Sequence, residues 1–375
     1  MLRLRVGTLS LNINTHDLNY GAILHSWAFE KFLNGYSNID CEVIDYTTPH
    51  FEGMNFRYPF LFYLKKGKVR RTLGMLSRLI SHSKRYTAFE EFKKTQMKIS
   101  STAYTQRKLA ESDLPYDVLV CESDVIWSPV FFHDDFDETF FLALPSMKDK
   151  HKVAYSPSMG NGIDKKHENR FAQLIQNFDA LSCRETYAAE FTQQFTEKPI
   201  SCVVDPVLLL TENQYSGIIS PRIEKDPYLL IYTPVGRDNH IIKEAKKYAK
   251  AHGLKVIEIT NNTYEHLRHK TYTDASVPEF LSLIKYADTV FASSFHGICF
   301  SLLFHKNFYA FSRKTGKKTE DLCGRLGLLN RYIDKNEVIE QPPLNFAEID
   351  GKINDLRKIS VAFIEDNIVN WRPAE

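Results

Sequence analysis

The residues best placed to do chemistry lie at four junctions where an apolar run gives way to polar residues. The most specific is Asp288-Thr-Val-Phe-Ala-Ser293-Ser294-Phe295-His296-Gly297, which runs straight on into an apolar helical pattern. A strand-to-helix switch there sets His296 beside the backbone N–H groups of a helix N-terminus. Imidazole exchanges a proton near neutral pH, and the N–H groups favour an anion. A second junction, Leu181-Ser-Cys-Arg184-Glu185-Thr186, sets an arginine just past a strand. Its planar fork suits a carboxylate or a phosphate, unless it is spent on a surface pair with Glu185. At the third, Asn19-Tyr20-Gly21 opens a helix, and the glycine admits a ligand close to the backbone. The same three residues also make an ordinary helix cap. The fourth, Cys121-Glu-Ser-Asp124-Val-Ile-Trp127-Ser-Pro129, ends a buried strand in acids. Asp124 reads as a ligand or a cap, and Trp127 as a flat face for a sugar ring or as core.

Other patterns carry less. Asp135-x-Asp137 is short and lacks a supporting histidine pair, so residues 133–138 read as a solvated acidic loop and no metal site is expected. The chain has no G-x-G-x-x-G, no Walker A loop and no G-x-S-x-G elbow. Its cysteines, at 41, 121, 183, 202, 299 and 323, form no C-x-x-C pair and read as reduced, buried thiols.

The elements that must position these junctions are strand-like runs alternating with amphipathic helical runs, the pattern of a parallel α/β sheet. With 375 residues the chain predicts two domains. The expected fold is α/β, with two Rossmann-like doubly wound domains facing a cleft and ligands outside the carboxyl ends of the strands. The first domain spans 1–210, with a basic helical insertion at about 57–98. The second spans 227–348, and 349–375 is a C-terminal helix able to cross back. Ser276-Val-Pro-Glu279 is a clear helix start, since Ser276 caps while Glu279 reaches back.

A net charge of +2 argues against nucleic acid as a partner of the whole molecule. The insertion differs sharply, with twelve Lys and Arg against two acids, Glu90 and Glu91. It also carries Phe60-Leu-Phe-Tyr-Leu64 and a helically spaced set, Leu73, Leu76, Leu79 and Ile80. Such a helix either lies on an anionic membrane or docks its apolar face on the first domain. The N-terminal residues have no secretory h-region and no run is long enough to span a bilayer, so the expected location is cytoplasmic, with peripheral contact at the inner face of the cytoplasmic membrane.

Taken in order, Asn19-Tyr-Gly-Ala-Ile-Leu24, Glu122-Ser-Asp-Val-Ile-Trp127-Ser-Pro129, Ala154-Tyr-Ser-Pro-Ser-Met-Gly160, Ser182-Cys-Arg-Glu185, Val204-Asp-Pro206 and Ser294-Phe-His-Gly297 resemble the polysaccharide pyruvyl transferase family. The resemblance implies two domains arranged as in GT-B glycosyltransferases. It implies phosphoenolpyruvate as co-substrate, no other cofactor, and a lipid-linked or polymeric sugar diol as acceptor, giving a cyclic pyruvate ketal. By motif, Arg184 and His296 correspond to the family's donor-binding arginine and its His-Gly histidine. Ser293, Ser294 and Gly297 join them on the donor side, and Asn19, Tyr20, Gly21, Asp124 and Trp127 form the acceptor side. Many members carry an arginine where this chain has Ser294. Arg237, Arg313, Lys314, Lys317 or Lys318 would then supply the missing cation. The alternatives are a GT-B-like glycosyltransferase using a nucleotide sugar and a non-catalytic glycan-binding member.

Overall fold

The computed structural model describes residues 3–373 apart from 12, 16, 133, 235–237, 262–268, 313–316 and 335–336. The first part of the chain forms β1 (Leu4–Leu9), α1 (Tyr20–Leu33), β2 (Ile39–Thr47), α2 (Phe60–Lys65), α3 (Val69–Leu76), α4 (Leu79–Gln96), β3 (Ile99–Thr105), α5 (Gln106–Glu111), β4 (Val118–Glu122), β5 (His151–Tyr155), α6 (Glu168–Ile175), β6 (Ala180–Cys183), α7 (Thr186–Gln193), β7 (Ile200–Cys202) and α8 (Glu212–Tyr215). The second part forms β8 (Tyr228–Tyr232), α9 (Asn239–Ala251), β9 (Lys255–Ile259), β10 (Lys270–Tyr272), α10 (Val277–Lys285), β11 (Thr289–Ala292), α11 (Phe295–Leu303), β12 (Asn307–Phe311), α12 (Lys317–Leu326), β13 (Tyr332–Ile333) and α13 (Phe346–Ile364).

The strands make two parallel sheets, ordered β3-β2-β1-β4-β5-β6-β7 and β10-β9-β8-β11-β12-β13. All five residues of β4 and of β8 are buried, because helices cover both faces of each sheet. Winding reverses between β1 and β4 and again between β8 and β11. Such a reversal opens a crevice at the carboxyl ends of the strands. Both switch points therefore present their loops to the space between the domains.

Helix α1 is the wedge between the two units. Twelve of its fourteen residues are buried, so it shows no polar face. Tyr20 stacks on Phe280 with ring centroids 4.3 Å apart, Trp27 packs on Tyr215 at 5.2 Å, and Phe29 stacks on Tyr155 at 4.7 Å. One hydrophobic cluster consequently runs through both sheets and closes them together. Helix α13 begins beside the second unit and its last turns reach the first. Ser360 Oγ accepts from the Val204 amide at 2.9 Å, and Trp371 stacks on His151 at 4.7 Å.

In the insertion, α4 is fixed by buried Phe89 and Phe92 and by Arg85, which donates to the Leu18 carbonyl at 2.5 Å and to Asn261 of the second unit. The part before it is different. Leu61, Leu64, Val69, Leu73, Leu76 and Ile80 are exposed, Ile80 by 75 %. The aliphatic residues thus point outward, while Phe62, Tyr63 and Met75 pack with Leu11, Phe51 and Met54 of the first unit, so the insertion's apolar residues dock on it only in part. Among the described residues no helix is long and apolar enough to cross a membrane.

Candidate active site

The first unit contributes the loop after β4. Ser123 and Asp124 both take left-handed backbone conformations (φ +50° and +54°), as does Ser156 after β5 (φ +61°). Each costs a non-glycine residue on the order of 1 kcal/mol or more, and such strain gathers at functional sites. The turn is held because Asp124 accepts from the Val125 amide through Oδ1 and from the Ser158 amide through its carbonyl, both at 2.8 Å. Just before it, the buried Glu122 carboxylate receives His25 Nδ1 at 2.8 Å and the Ser26 hydroxyl. His25 lies one turn beyond Gly21 on α1.

Asp205, after β7, is the hub. Its Oδ1 accepts from the Val207 amide at 3.1 Å, while Oδ2 accepts from Ser123 Oγ and from Arg184 Nη1, each at 2.8 Å. Burial pushes this carboxyl up, but the neighbouring His296 and Arg184 outweigh it and hold the group well below the usual carboxylate range. Arg184 also donates through Nε to Glu185 Oε1 at 2.8 Å. The Arg184–Glu185 pair foreseen as a surface contact is therefore buried, with the arginine 2 % exposed. Two of its three nitrogens are engaged, and Nη2 has no partner among the described residues.

The second unit contributes the end of β11. Ser294 caps α11 by accepting from the Gly297 amide at 3.3 Å, and Ser293 is buried beside it. His296, in the first turn, brings Nε2 to 3.3 Å from Asp205 Oδ2, an ion-pair distance without hydrogen-bond alignment. Burial lowers its pKa by more than Asp205 restores, which favours the neutral imidazole. Phe295 lies under the Arg184 guanidinium, 4.4 Å from ring centroid to Cζ. Lys318, in the first turn of α12, is half-buried and closes no ion pair among the described residues. Burial and the nearby Arg184 lower its pKa.

Glycine is required at two places for close approach. A Cβ on Gly21 would overlap the His296 imidazole, so this glycine lets the two units meet at the histidine. A Cβ on Gly297 would come within 2.9 Å of the Tyr232 ring, so Gly297 serves the packing of α11 on β8.

The structure thus brings Gly21, Asp124, Arg184, Ser294 and His296 to one place and moves others out of it. Trp127 is fully buried, donates Nε1–H to the Phe140 carbonyl at 3.3 Å and stacks on Phe141 at 5.5 Å. With its faces covered it offers no platform for a sugar. Tyr20 is likewise no acceptor contact. Phe280 and Arg85 cover its ring, and its hydroxyl donates to the Ala275 carbonyl at 2.6 Å, pinning the units together. Asn19 is the half-buried cap of α1. The loop 133–138 is not wholly solvated either, because Asp137 is buried and accepts from Tyr46 Oη at 2.7 Å. Arg237, Arg313 and Lys314 lie outside the described residues. Three members of the site, His25, Glu122 and Asp205, were not among the candidates. A polar pair inside an apolar stretch of helix, His25-Ser26, was the available signal for the first.

Two parallel α/β units joined at their switch points define the class, a GT-B-like two-domain architecture. The profile described as Polysaccharide pyruvyl transferase matches residues 19–315, and the chain belongs to that family. No curated protein is significantly similar to it in sequence. Among solved structures, a UDP-N-acetylglucosamine 2-epimerase superposes with a TM-score of 0.50 at 11 % identity, over 100 % of this chain and 98 % of the other. The UDP-GlcNAc 2-epimerase from Neisseria meningitidis gives 0.45 at 9 % identity, over 98 % and 94 %. The E. coli ADP-heptose LPS heptosyltransferase II gives 0.38 at 10 %, over 94 % and 99 %. At these identities the likeness concerns the fold alone.

Proposed function

We propose that this member moves the pyruvyl group of phosphoenolpyruvate onto two hydroxyls of a sugar, forming a cyclic ketal and releasing phosphate. The observation that carries this reading is the meeting of Arg184 and His296 across the two units, with Arg184 Nη2 buried and without a partner among the described residues. A guanidinium donor left open in a buried site calls for an anion. Glu185 and Asp205 already offset much of the Arg184 charge, so Lys318 and the N-termini of α11 and α12 supply the rest for the donor. A neutral imidazole suits the removal of a hydroxyl proton as the sugar attacks C2. Calorimetry with phosphoenolpyruvate tests the donor. Saturable binding, weakened in Arg184→Lys, is expected, and absence of binding would overturn the assignment.

The acceptor follows from the same reading and from the insertion. Six exposed aliphatic side chains between Leu61 and Ile80 stand beside Lys65, Lys66, Lys68, Arg70 and Arg71, none of which has a carboxylate partner among the described residues. That combination suits an anionic bilayer and an acceptor carried on a lipid.

A further inference from the structure

Outside the residues assigned above, one group in the cleft has no role yet. His25 is fully buried, and its Nε2 has no hydrogen-bond partner among the described residues. Its other nitrogen is fixed by Glu122 at 2.8 Å, with the Ser26 hydroxyl on the second carboxylate oxygen. A carboxylate on Nδ1 keeps a proton on that nitrogen, so Nε2 carries one only in the imidazolium form, and that is the proton the ring can give up. Beside it lies the other domain: the His25 and His296 rings stack 19° from parallel, with centroids 5.9 Å apart. Burying an imidazole and leaving one nitrogen unpaired costs roughly 1–3 kcal/mol.

We infer that His25 is the second proton-transfer residue of the site, the acid that complements His296, with Glu122 as its positioning residue. This rests on the ketal-forming reading. In the first half-reaction His25 gives its proton to the methylene carbon of the donor, the sugar hydroxyl oxygen bonds to C2, and His296 takes the hydroxyl proton. In the second, the next hydroxyl bonds to C2, the C2–O bond to phosphate breaks, His296 gives its proton to the leaving phosphate, and His25 takes the proton of that hydroxyl. Two C2–O bonds to the sugar form, the C2=C3 π bond and the C2–O bond to phosphate break, the methylene becomes methyl, and both histidines return to their starting states. One diol proton ends on the methyl and the other on phosphate, so no further co-reactant is needed. The two rings come from α1 and α11, so closure of the domains assembles the pair.

The surroundings support opposite protonation. Burial works to discharge His25, but Glu122, then Asp205 and Asp124, more than offset it, and its pKa is raised. His296, facing Asp205, Arg184 and His25, has its pKa lowered. Environments that push two groups apart in this way assign the acid and the base. Activity then needs His296 neutral and His25 charged. It falls at acid pH as His296 takes a proton, and at alkaline pH as His25 loses one.

The test is the pH profile of kcat for the full chain, wild type against His25→Gln and Glu122→Gln, with phosphoenolpyruvate and an active diol. His25→Gln should lower kcat by about 10²-fold or more, leave the donor KM within about threefold, and abolish the alkaline limb. Glu122→Gln should lower kcat less than His25→Gln does and move the alkaline limb to lower pH, because the carboxylate no longer holds the His25 proton. Near-normal turnover or an unchanged alkaline limb in a folded His25→Gln protein overturns the inference alone. A wild-type protein that consumes no phosphoenolpyruvate overturns the donor reading and this inference with it.

Discussion

At the residue scale, the site concentrates charge on Asp205. It takes a guanidinium N–H, a hydroxyl and an amide, and it faces an imidazole. Asp205 raises the His296 pKa against burial, so Asp205→Asn should lower that pKa further. The base form of His296 would then persist to lower pH. The acid limb of the rate should shift down, and a limb that stays put or moves up would refute the coupling. Arg184 is bound to two buried carboxylates, so Arg184→Met strands both. We expect a loss of about 3–5 kcal/mol in unfolding free energy, measurable by denaturant titration. Arg184→Lys keeps the charge but not the fork. It should raise the donor KM more than the acceptor KM.

At the scale of elements, α1 carries function at both ends of one turn, with Gly21 against His296 and His25 on Glu122. Gly21→Ala puts a methyl where the imidazole sits and should hold the domains apart. Turnover is expected to drop by about 10²-fold, with a larger radius of gyration by small-angle scattering. An unchanged rate would show that closure at this contact is dispensable. The parallel sheets and the start of α10 were legible in sequence. Apolar runs with period breaks mark strands, and Ser276 and Glu279 make the reciprocal cap the pattern predicts. The junctions ending in Arg184 and His296 were legible for the same reason, since strand ends deliver side chains to a switch point. Trp127 and Tyr20 misled because an aromatic near a strand end has the same spacing whether its partner is a sugar or another ring. His25 was hidden because α1 is buried on all sides, and helical periodicity gives no sign of which buried face borders a cleft. Asp205 caps the turn that begins at Pro206, so in sequence its carboxylate has a local role that masks the one in the site.

At the scale of the whole molecule, the insertion sets a basic and apolar surface beside the cleft, since Arg78 and Arg85 of the same segment reach Asn261 across it. Each Lys or Arg near an anionic surface contributes about 1 kcal/mol. Co-sedimentation with vesicles should therefore need anionic lipid, weaken with salt, and fall when Lys65, Lys66, Lys68, Arg70 and Arg71 become Gln. Self-association without vesicle binding would assign the face to a second copy instead. The central claim, that two domains close a histidine and an arginine around phosphoenolpyruvate and a sugar diol, is tested most directly by product analysis. The full-length protein is incubated with phosphoenolpyruvate and a panel of lipid-linked and model glycosides, and phosphate and ketal are quantified together. The account predicts one phosphate released per ketal methyl group seen by NMR, lost in His296→Ala by about 10²-fold or more. Transfer from a nucleotide sugar with no consumption of phosphoenolpyruvate would contradict it.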